Sequence, residues 1–442
     1  MRLTRLGVTN LRALRQTEVE FDEAFTLLIG VNGVGKSTVL DALRTTLSVV
    51  WSELGIYKRG TLSFTERDIT IDQPTMEAEL AFRISGQACA LSMTERRANE
   101  KDNPEWEGGF TGDAATTIHV PDVRRLGMDP REVSEVDGTG DLRCSADSLK
   151  RRMREKPLAM YYSTRRSLFR ERKATQAVLK NTASAPYVQA LDHRALQVVE
   201  LATWWRAEAY IATLGNERAA QAARHIGAMK RAGTAIVEGL ADLDVRNTEE
   251  DEPTLEATKD GRRIDVRFLS DGERSLLSLA LDITRRLAQA YPGLRDPADE
   301  GHAIILIDEL DLHLHPRWQR RIPNALTETF PNCQFVCTTH SPQILGEVDP
   351  RRVRLLSPGG GVDEVAAARG LDYNYLLETA FGDEDRSVVP QRQLDAIFEM
   401  LGRRELEGAE AEIEAFERDY SPEGEDIHRA RTLLDRLKRI GR

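Results

Sequence analysis

The sequence predicts an α/β fold, and three short apolar runs carry this prediction. Phe25–Ile29, Ala303–Ile307 and Gln334–Thr338 are each typical of a buried strand, and a loop and a helical pattern follow each of them. Strands of this kind belong to parallel sheets. Alternating apolar residues near the N-terminus and on both sides of the Ser85-Gly86 turn predict an antiparallel lobe. We therefore expect a mixed sheet with a parallel core.

The composition is that of a globular chain with an acidic balance. Of 442 residues, 40% are hydrophobic and 30% are charged, and the formal net charge is −11. This negative charge excludes a protein whose whole surface binds nucleic acid or membrane, but it leaves a local basic patch possible. Four cysteines without metal-ligand spacing favour buried, reduced thiols, and no run approaches about 18 apolar residues. We expect a cytoplasmic protein without membrane contact.

The chain divides by pattern into four regions. Ala-, Leu- and Arg-rich helical spacing over 175–243 predicts an inserted helical subdomain, and charged helical patterns predict a C-terminal extension. The regions are an N-terminal lobe with a glycine-rich loop and an irregular insertion (1–150), a basic segment with the helical subdomain (151–245), a C-terminal lobe (246–365), and an acidic helical tail for packing or partner docking (366–442).

The strongest chemical signal is the glycine-rich loop GVNGVGKST at 30–38. It lies between a buried strand and a helix, so that backbone N–H groups and the helix N-terminus would face phosphate. Lys36 would reach the β- and γ-phosphates of ATP, and Ser37 would bind Mg²⁺. The residues predicted to bind the nucleotide are Asn32, Gly33, Val34, Gly35, Lys36, Ser37 and Thr38.

Three further polar side chains follow apolar runs. Asp308 and Glu309 come directly after Ala303–Ile307, where ligands bind open α/β sheets. Asp308 would hold Mg²⁺, and Glu309 would act as the general base that polarises the attacking water. His340 follows the next run at the same sheet edge, and we assign it as a γ-phosphate sensor. The alternative for His340 is a polar residue with a purely structural role.

A second anion site is expected at the start of another helix. Ser270 and Gly272 precede a helical pattern, and a helix N-terminus favours negative charge. His313 and His315 could suggest a metal pair, but we favour a loop that meets a partner subunit.

Together these motifs resemble the RecF/SMC-like branch of ABC-type P-loop ATPases over most of the chain. The resemblance implies an ABC-type nucleotide-binding domain in which two copies enclose two ATP molecules. Ser270 and Gly272 match the family's signature loop, with Asp271 in place of a glycine, and would contact the γ-phosphate held by the partner. Asp311 would lie in the D-loop, and Arg12 would approach the adenine base.

A more specific likeness is to the AAA-type ATPases of bacterial anti-phage systems, represented by the PtuA subunit of Septu and retron systems. It implies a homodimer, or a higher oligomer of dimers, that works with a separate nuclease subunit. The segments that carry this likeness are 161–166, 203–205, 271–275 and 309–319. The chain departs from the ABC pattern at one place, because Thr164, Arg165 and Arg166 stand where the family usually carries a glutamine.

One basic segment stands out in the acidic chain. The segment that begins at Lys150 and ends at Lys173 holds ten Lys or Arg and two Glu. A solvated face is one interpretation, and contact with a nucleic-acid backbone is the other. No nuclease motif accompanies the ATPase motifs, so we expect any nuclease activity on another polypeptide. The functional alternatives are a switch for a partner nuclease, a RecF-like ATPase that acts on DNA directly, and a transporter subunit, which the insertions disfavour.

Overall fold

The computed structural model of the protein forms two compact units, Met1–Leu371 and Asp372–Arg442. The structure describes residues 1–58, 60–97, 117–119, 135–136, 142–143, 156–167, 182–193, 195–196, 198–246, 253–364 and parts of 396–438.

The strands and helices of these ranges are named in chain order. The strands are β1 (Arg2–Leu11), β2 (Leu14–Glu20), β3 (Phe25–Ile29), β4 (Thr75–Ile84), β5 (Gln87–Arg96), β6 (Thr117–His119), β7 (Glu135–Val136), β8 (Leu142–Arg143), β9 (Leu158–Tyr162), β10 (Leu240–Arg246), β11 (Thr254–Lys259), β12 (Arg262–Asp265), β13 (Ala303–Ile307), β14 (Gln334–Thr338), β15 (Val353–Leu356) and β16 (Val362–Glu364). The helices are α1 (Lys36–Glu53), α2 (Val198–Ala212), α3 (Glu217–Ile236), α4 (Asp271–Ala290), α5 (Pro297–Glu300), α6 (Pro316–Thr329), α7 (Pro342–Leu345) and α8 (Leu406–Asp419).

A six-stranded sheet with the order β16-β15-β3-β14-β13-β9 forms the core of the first unit. All its pairings are parallel except that of β15 with the edge strand β16. Strands β3, β9, β13 and β14 are buried at every residue. Burial on both faces explains why these strands are continuous apolar runs in the sequence, and the predicted parallel core is confirmed.

The N-terminal lobe is an antiparallel sheet with the order β2-β1-β4-β5-β6. Its strands alternate buried and more exposed residues, as β4 does along its length. The hairpin of β4 and β5 turns at Ser85 and Gly86, which both have positive φ. The predicted antiparallel N-terminal lobe is confirmed, but it is a sheet separate from the six-stranded one and not part of a single mixed sheet.

The inserted subdomain is helical over a shorter range than the sequence predicts. Helices α2 and α3 pack against each other and against α4. The predicted helical range ended at 243, which is wrong, because Leu240–Arg246 forms strand β10 and pairs with β11. Buried Leu240 and Leu243 supply the apolar face of this strand. Pairing with the β11–β12 hairpin, rather than local helical spacing, decides the conformation here.

The second unit is helical where it is described. Helix α8 is its longest described element. The unit has a small apolar core formed by Ile397, Leu401, Ala409, Ile413, Phe416, Ile427, Ala430 and Leu434. Among the described residues of the whole chain, no helix is both long enough and apolar enough to cross a membrane.

Candidate nucleotide site

The glycine-rich loop connects β3 to α1 in a conformation that requires glycine. Gly30, Gly33 and Gly35 all have positive φ, at 147°, 77° and 115°. A Cβ on Gly35 would lie 2.5 Å from a methyl carbon of Leu14, and one on Gly30 would lie 2.5 Å from the carbonyl oxygen of Leu356. Within the described chain no side chain caps the start of α1, so its first N–H groups are available to an anion.

Lys36 points into this loop. Its ammonium group donates to the carbonyl oxygens of Gly30 at 2.6 Å and Val31 at 3.1 Å, and the residue is 6% exposed. Burial lowers the pKa of Lys36 to about 8, although the carboxylates of Asp308 and Glu309 oppose this shift. Phosphate oxygens could replace these two neutral carbonyls as acceptors for the ammonium group.

Ser37 and Asp308 meet across the edge of the sheet. The Ser37 hydroxyl donates to the Asp308 carboxylate at 3.0 Å, and the Thr338 hydroxyl donates to the same oxygen at 2.7 Å. Hydroxyl and carboxylate oxygens are ligands that Mg²⁺ prefers, so these residues fit the ion predicted from the sequence. Thr338 was not among the predicted site residues.

Glu309 follows Asp308 in the chain, and its backbone has a left-handed conformation with φ at 50°. Its backbone N–H donates to the Thr338 hydroxyl oxygen at 2.7 Å. Burial raises the pKa of Glu309, and the neighbouring carboxylates of Asp308 and Asp311 raise it further. A carboxylate with a raised pKa is a better proton acceptor, which suits the predicted general base.

His340 lies beside Asp311 and near Lys36. Its backbone N–H donates to the Asp311 carboxylate at 3.2 Å, and the Thr339 hydroxyl donates to that oxygen at 2.6 Å. Burial and the charge of Lys36 lower the pKa of His340. The imidazole is therefore mainly neutral at pH 7 and can donate a hydrogen bond to phosphate. The role of sensor stays a prediction.

Ser270 and Gly272 stand at the start of α4, as predicted. The Ser270 hydroxyl caps the helix and forms a capping box with Glu273, to whose carboxylate it donates at 2.7 Å. Lys259 lies 2.9 Å from Glu273, and the Asp271 side chain is 72% exposed beside Arg274. The acidic residues Asp271 and Glu273 of this loop are thus each paired with an adjacent cation.

Gly272, in the predicted signature loop, lies against segment 311–316 of the same chain, which is the predicted D-loop. A Cβ at this position would lie 2.6 Å from the carbonyl oxygen of His313, whose φ is 60°. His313, His315 and Trp318 line one pocket of about 360 Å³ together with residues 270–273. Ser270 and Gly272 thus lie beside His313 and His315 of the predicted D-loop, whereas Lys36 and Ser37 lie beside the carboxylates of Asp308 and Glu309.

The remaining predicted nucleotide contacts are less direct. Arg12 donates to Asp41 at 2.7 Å and to Asp68 at 2.9 Å, so two carboxylates of its own chain hold the guanidinium. Its approach to adenine stays a prediction. Asn32 is exposed, whereas Val34 and Thr38 are buried.

The position without the usual glutamine is occupied by a buried arginine. Arg166 lies in a 3₁₀ turn after β9 and donates to the backbone carbonyl oxygens of Asp308 and Glu309. The basic segment around it, proposed to contact nucleic acid, lies outside the described residues except for 156–167.

Two family models match the chain. One, described as "AAA ATPase domain", matches 1–80, and the other, described as "AAA domain, putative AbiEii toxin, Type IV TA system", matches 213–346. These ranges contain the glycine-rich loop, the signature loop and the Asp308–Glu309 pair.

Relatives match the chain to different extents. The "Retron Vc95 probable ATPase" of Vibrio cholerae is 45% identical over 107 residues, which are 24% of this chain and only 21% of the retron protein. The Septu protein PtuA of Bacillus thuringiensis is 23% identical over 94% of this chain and 92% of its own length. The DNA replication and repair protein RecF of Mannheimia succiniciproducens is 24% identical over 80% of this chain and 96% of its own. The chain thus carries an ATPase domain that is similar to retron ATPases, Septu PtuA and RecF.

Proposed function

We propose that the protein is an ATP-dependent switch that hydrolyses ATP in a dimer and controls a partner nuclease in an anti-phage complex. The observation that carries the ATPase part is the meeting of Ser37, Thr338 and Asp308 at the sheet edge, with Lys36 in the adjacent glycine-rich loop. Hydroxyl, carboxylate and ammonium groups at one sheet edge are what phosphoryl transfer to water requires.

Each side chain has a distinct part in this reaction. Lys36 leaves the loop carbonyls and neutralises the β- and γ-phosphates. Ser37 and Asp308 would hold Mg²⁺, which would supply positive charge that offsets the charge of the phosphates. Glu309 orients and deprotonates the attacking water, and neutral His340 donates a hydrogen bond to the γ-phosphate. Positioning and charge stabilisation account for most of the rate.

A second copy of the chain completes each site. Ser270 and Gly272 adjoin the D-loop and line a pocket apart from Lys36. In the proposed dimer this pocket closes on the γ-phosphate bound by the partner, as the resemblance to ABC ATPases implies. A monomer would then bind ATP but hydrolyse it slowly.

The output of the switch is proposed from the relatives. The match to Septu PtuA extends over most of both chains, and retron ATPases match more strongly over short regions. We place the protein in the cytoplasm, where a nuclease partner would meet phage nucleic acid.

The test uses Glu309→Gln, which removes the base and should trap ATP in a closed dimer. Light scattering with and without ATP should show an ATP-dependent dimer for this variant and a monomer for the control Lys36→Ala. Complexes isolated from a host that also expresses the neighbouring genes should carry nuclease activity on plasmid DNA. Normal ATP hydrolysis by Glu309→Gln would refute the catalytic assignment, and nuclease-free complexes would refute the partner.

The alternative function is a RecF-like ATPase that acts on DNA directly, which the match over 96% of a RecF protein favours. DNA would then stimulate hydrolysis by the purified protein without any partner. Replacing Arg151, Arg152 and Arg154 with Glu should abolish salt-sensitive DNA binding in that case. Unchanged DNA binding by this triple variant would exclude the basic segment as the contact.

A further inference from the structure

Arg166 is a buried cation that is placed against the catalytic turn. The residue is 3% exposed and lies in the 3₁₀ turn Thr164–Ser167, directly after β9. Its neighbour Arg165, in the same turn, is exposed. Burial of a guanidinium is costly unless its N–H groups are satisfied, so its partners indicate its role.

The partners of Arg166 are backbone carbonyls at the end of β13. One terminal nitrogen donates to the carbonyl oxygens of Asp308 and, at 3.2 Å, Ser163. The other terminal nitrogen donates to the carbonyl oxygen of Glu309. A planar guanidinium can reach two consecutive carbonyls at once, which a lysine ammonium cannot do in the same fixed geometry.

The hydrogen bonds from Arg166 hold a backbone conformation that a non-glycine residue rarely adopts. Glu309 has φ at 50°, and such a conformation persists only when the surroundings hold it. Arg166 fixes the carbonyl side of the residue, and the Thr338 hydroxyl fixes its N–H. The two contacts together set the direction in which the Glu309 side chain leaves the backbone.

The charge of Arg166 also suits this position. Asp308, Glu309 and Asp311 lie close together, and Lys36 is the nearby cation that must move to phosphate. Arg166 keeps a fixed positive charge behind the carboxylates when Lys36 turns away. A neutral amide in its place would satisfy fewer carbonyls and leave the carboxylates less compensated.

We propose that Arg166 is the positioning residue for the general base Glu309, taking the place at which related ATPases carry a glutamine. This inference rests on the proposed function. Arg166 acts through the backbone of Glu309.

The test compares four variants of the full chain with the wild type: Arg166→Lys, Arg166→Gln, Arg166→Met and, as the matched control, Arg165→Met. The Kd of a fluorescent ATP analogue, kcat and KM are measured for each, with circular dichroism and melting temperature as folding controls. We expect Arg166→Met to lose about a hundredfold in kcat, as a base displaced by about 1 Å would. Its Kd for the analogue should change less than threefold.

Partial rescue separates positioning from simple packing. Arg166→Gln keeps one donor and Arg166→Lys keeps the charge, so both should exceed Arg166→Met in kcat at similar Kd. Arg165→Met should match the wild type. A wild-type kcat for Arg166→Met, or equal losses in kcat and nucleotide binding across all three variants, would overturn the inference. A wild-type chain that binds ATP without hydrolysing it would overturn the proposed function as well.

Discussion

Thr338 offers the sharpest quantitative test of the candidate site. Its hydroxyl donates to Asp308 at 2.7 Å and accepts the Glu309 N–H at 2.7 Å, and the residue is 1% exposed. Thr338→Val has nearly the same shape but removes both bonds. Thr338→Ser keeps both bonds and loses only the methyl group, so the pair isolates the hydroxyl.

The expected magnitude follows from these two contacts. A hydrogen bond to a charged group contributes about 1.5–3 kcal/mol, and a buried N–H without a partner costs about 1–3 kcal/mol. Because Glu309 is only half-buried, water can replace part of the lost hydrogen bonding in the variant, and we expect Thr338→Val to lower the free energy of unfolding by about 3 kcal/mol. Loss of the methyl group in Thr338→Ser should cost about 1 kcal/mol.

Urea unfolding followed by tryptophan fluorescence measures the difference. All five tryptophans lie within Met1–Leu371, so the signal reports on the unit that contains the site. At a common slope the difference between midpoints gives the difference in free energy. If Thr338→Val unfolds at the same urea concentration as Thr338→Ser, or later, the hydroxyl does not stabilise this turn as we argue.

Three other substitutions test separate contacts. Gly272→Ala should destabilise the protein by about 1–3 kcal/mol, because its Cβ would lie 2.6 Å from a backbone oxygen, whereas Gly293→Ala meets open space and should be neutral by thermal denaturation. Lys259→Met should lower stability by about 1–2 kcal/mol, since it leaves Glu273 mostly buried without its cation, and Lys259→Arg should restore it in the same assay. Burial would raise the pKa of Asp41, but hydrogen bonds from His193 and Arg12 and the charge of Arg44 hold it well below its usual 3.8. A depressed pKa stabilises the fold fully above the unfolded-state pKa of about 4, and this contribution decreases as the pH falls from there towards the lower folded-state pKa. Asp41→Asn should therefore cost about 1–2 kcal/mol at pH 7, and a difference that does not shrink as the pH falls below 3.8 would contradict this account.

The local sequence pattern predicts much of the fold, because the central strands are short and are buried on both faces. Phe25–Ile29, Ala303–Ile307 and Gln334–Thr338 have the bounds that the sequence predicts. The glycine-rich loop is equally local, since three positive φ values need glycine at fixed spacing. These features depend on neighbours in sequence, and single-sequence reasoning captures them.

The features that the sequence did not predict depend on distant partners. Strand β10 lies at the end of an alanine-rich helical pattern, and its pairing with β11 overrides that pattern. Thr338 and Arg166 became site residues only when β14 and β9 were placed on either side of β13. Arg166 is 142 residues from Asp308 in the chain, and nothing in a dibasic turn indicates which carbonyls it will reach.

The capping box at Ser270 has a consequence for which anions the signature loop can accept. The carboxylate of Glu273, three residues away, already receives the Ser270 N–H and hydroxyl. A tethered carboxylate has a high effective concentration, so dissolved phosphate at ordinary concentrations will seldom displace it. In the proposed dimer, a triphosphate fixed on the opposite subunit is itself tethered and carries more charge. The loop would therefore bind free anions only weakly, and it would bind a nucleotide that the partner subunit already holds.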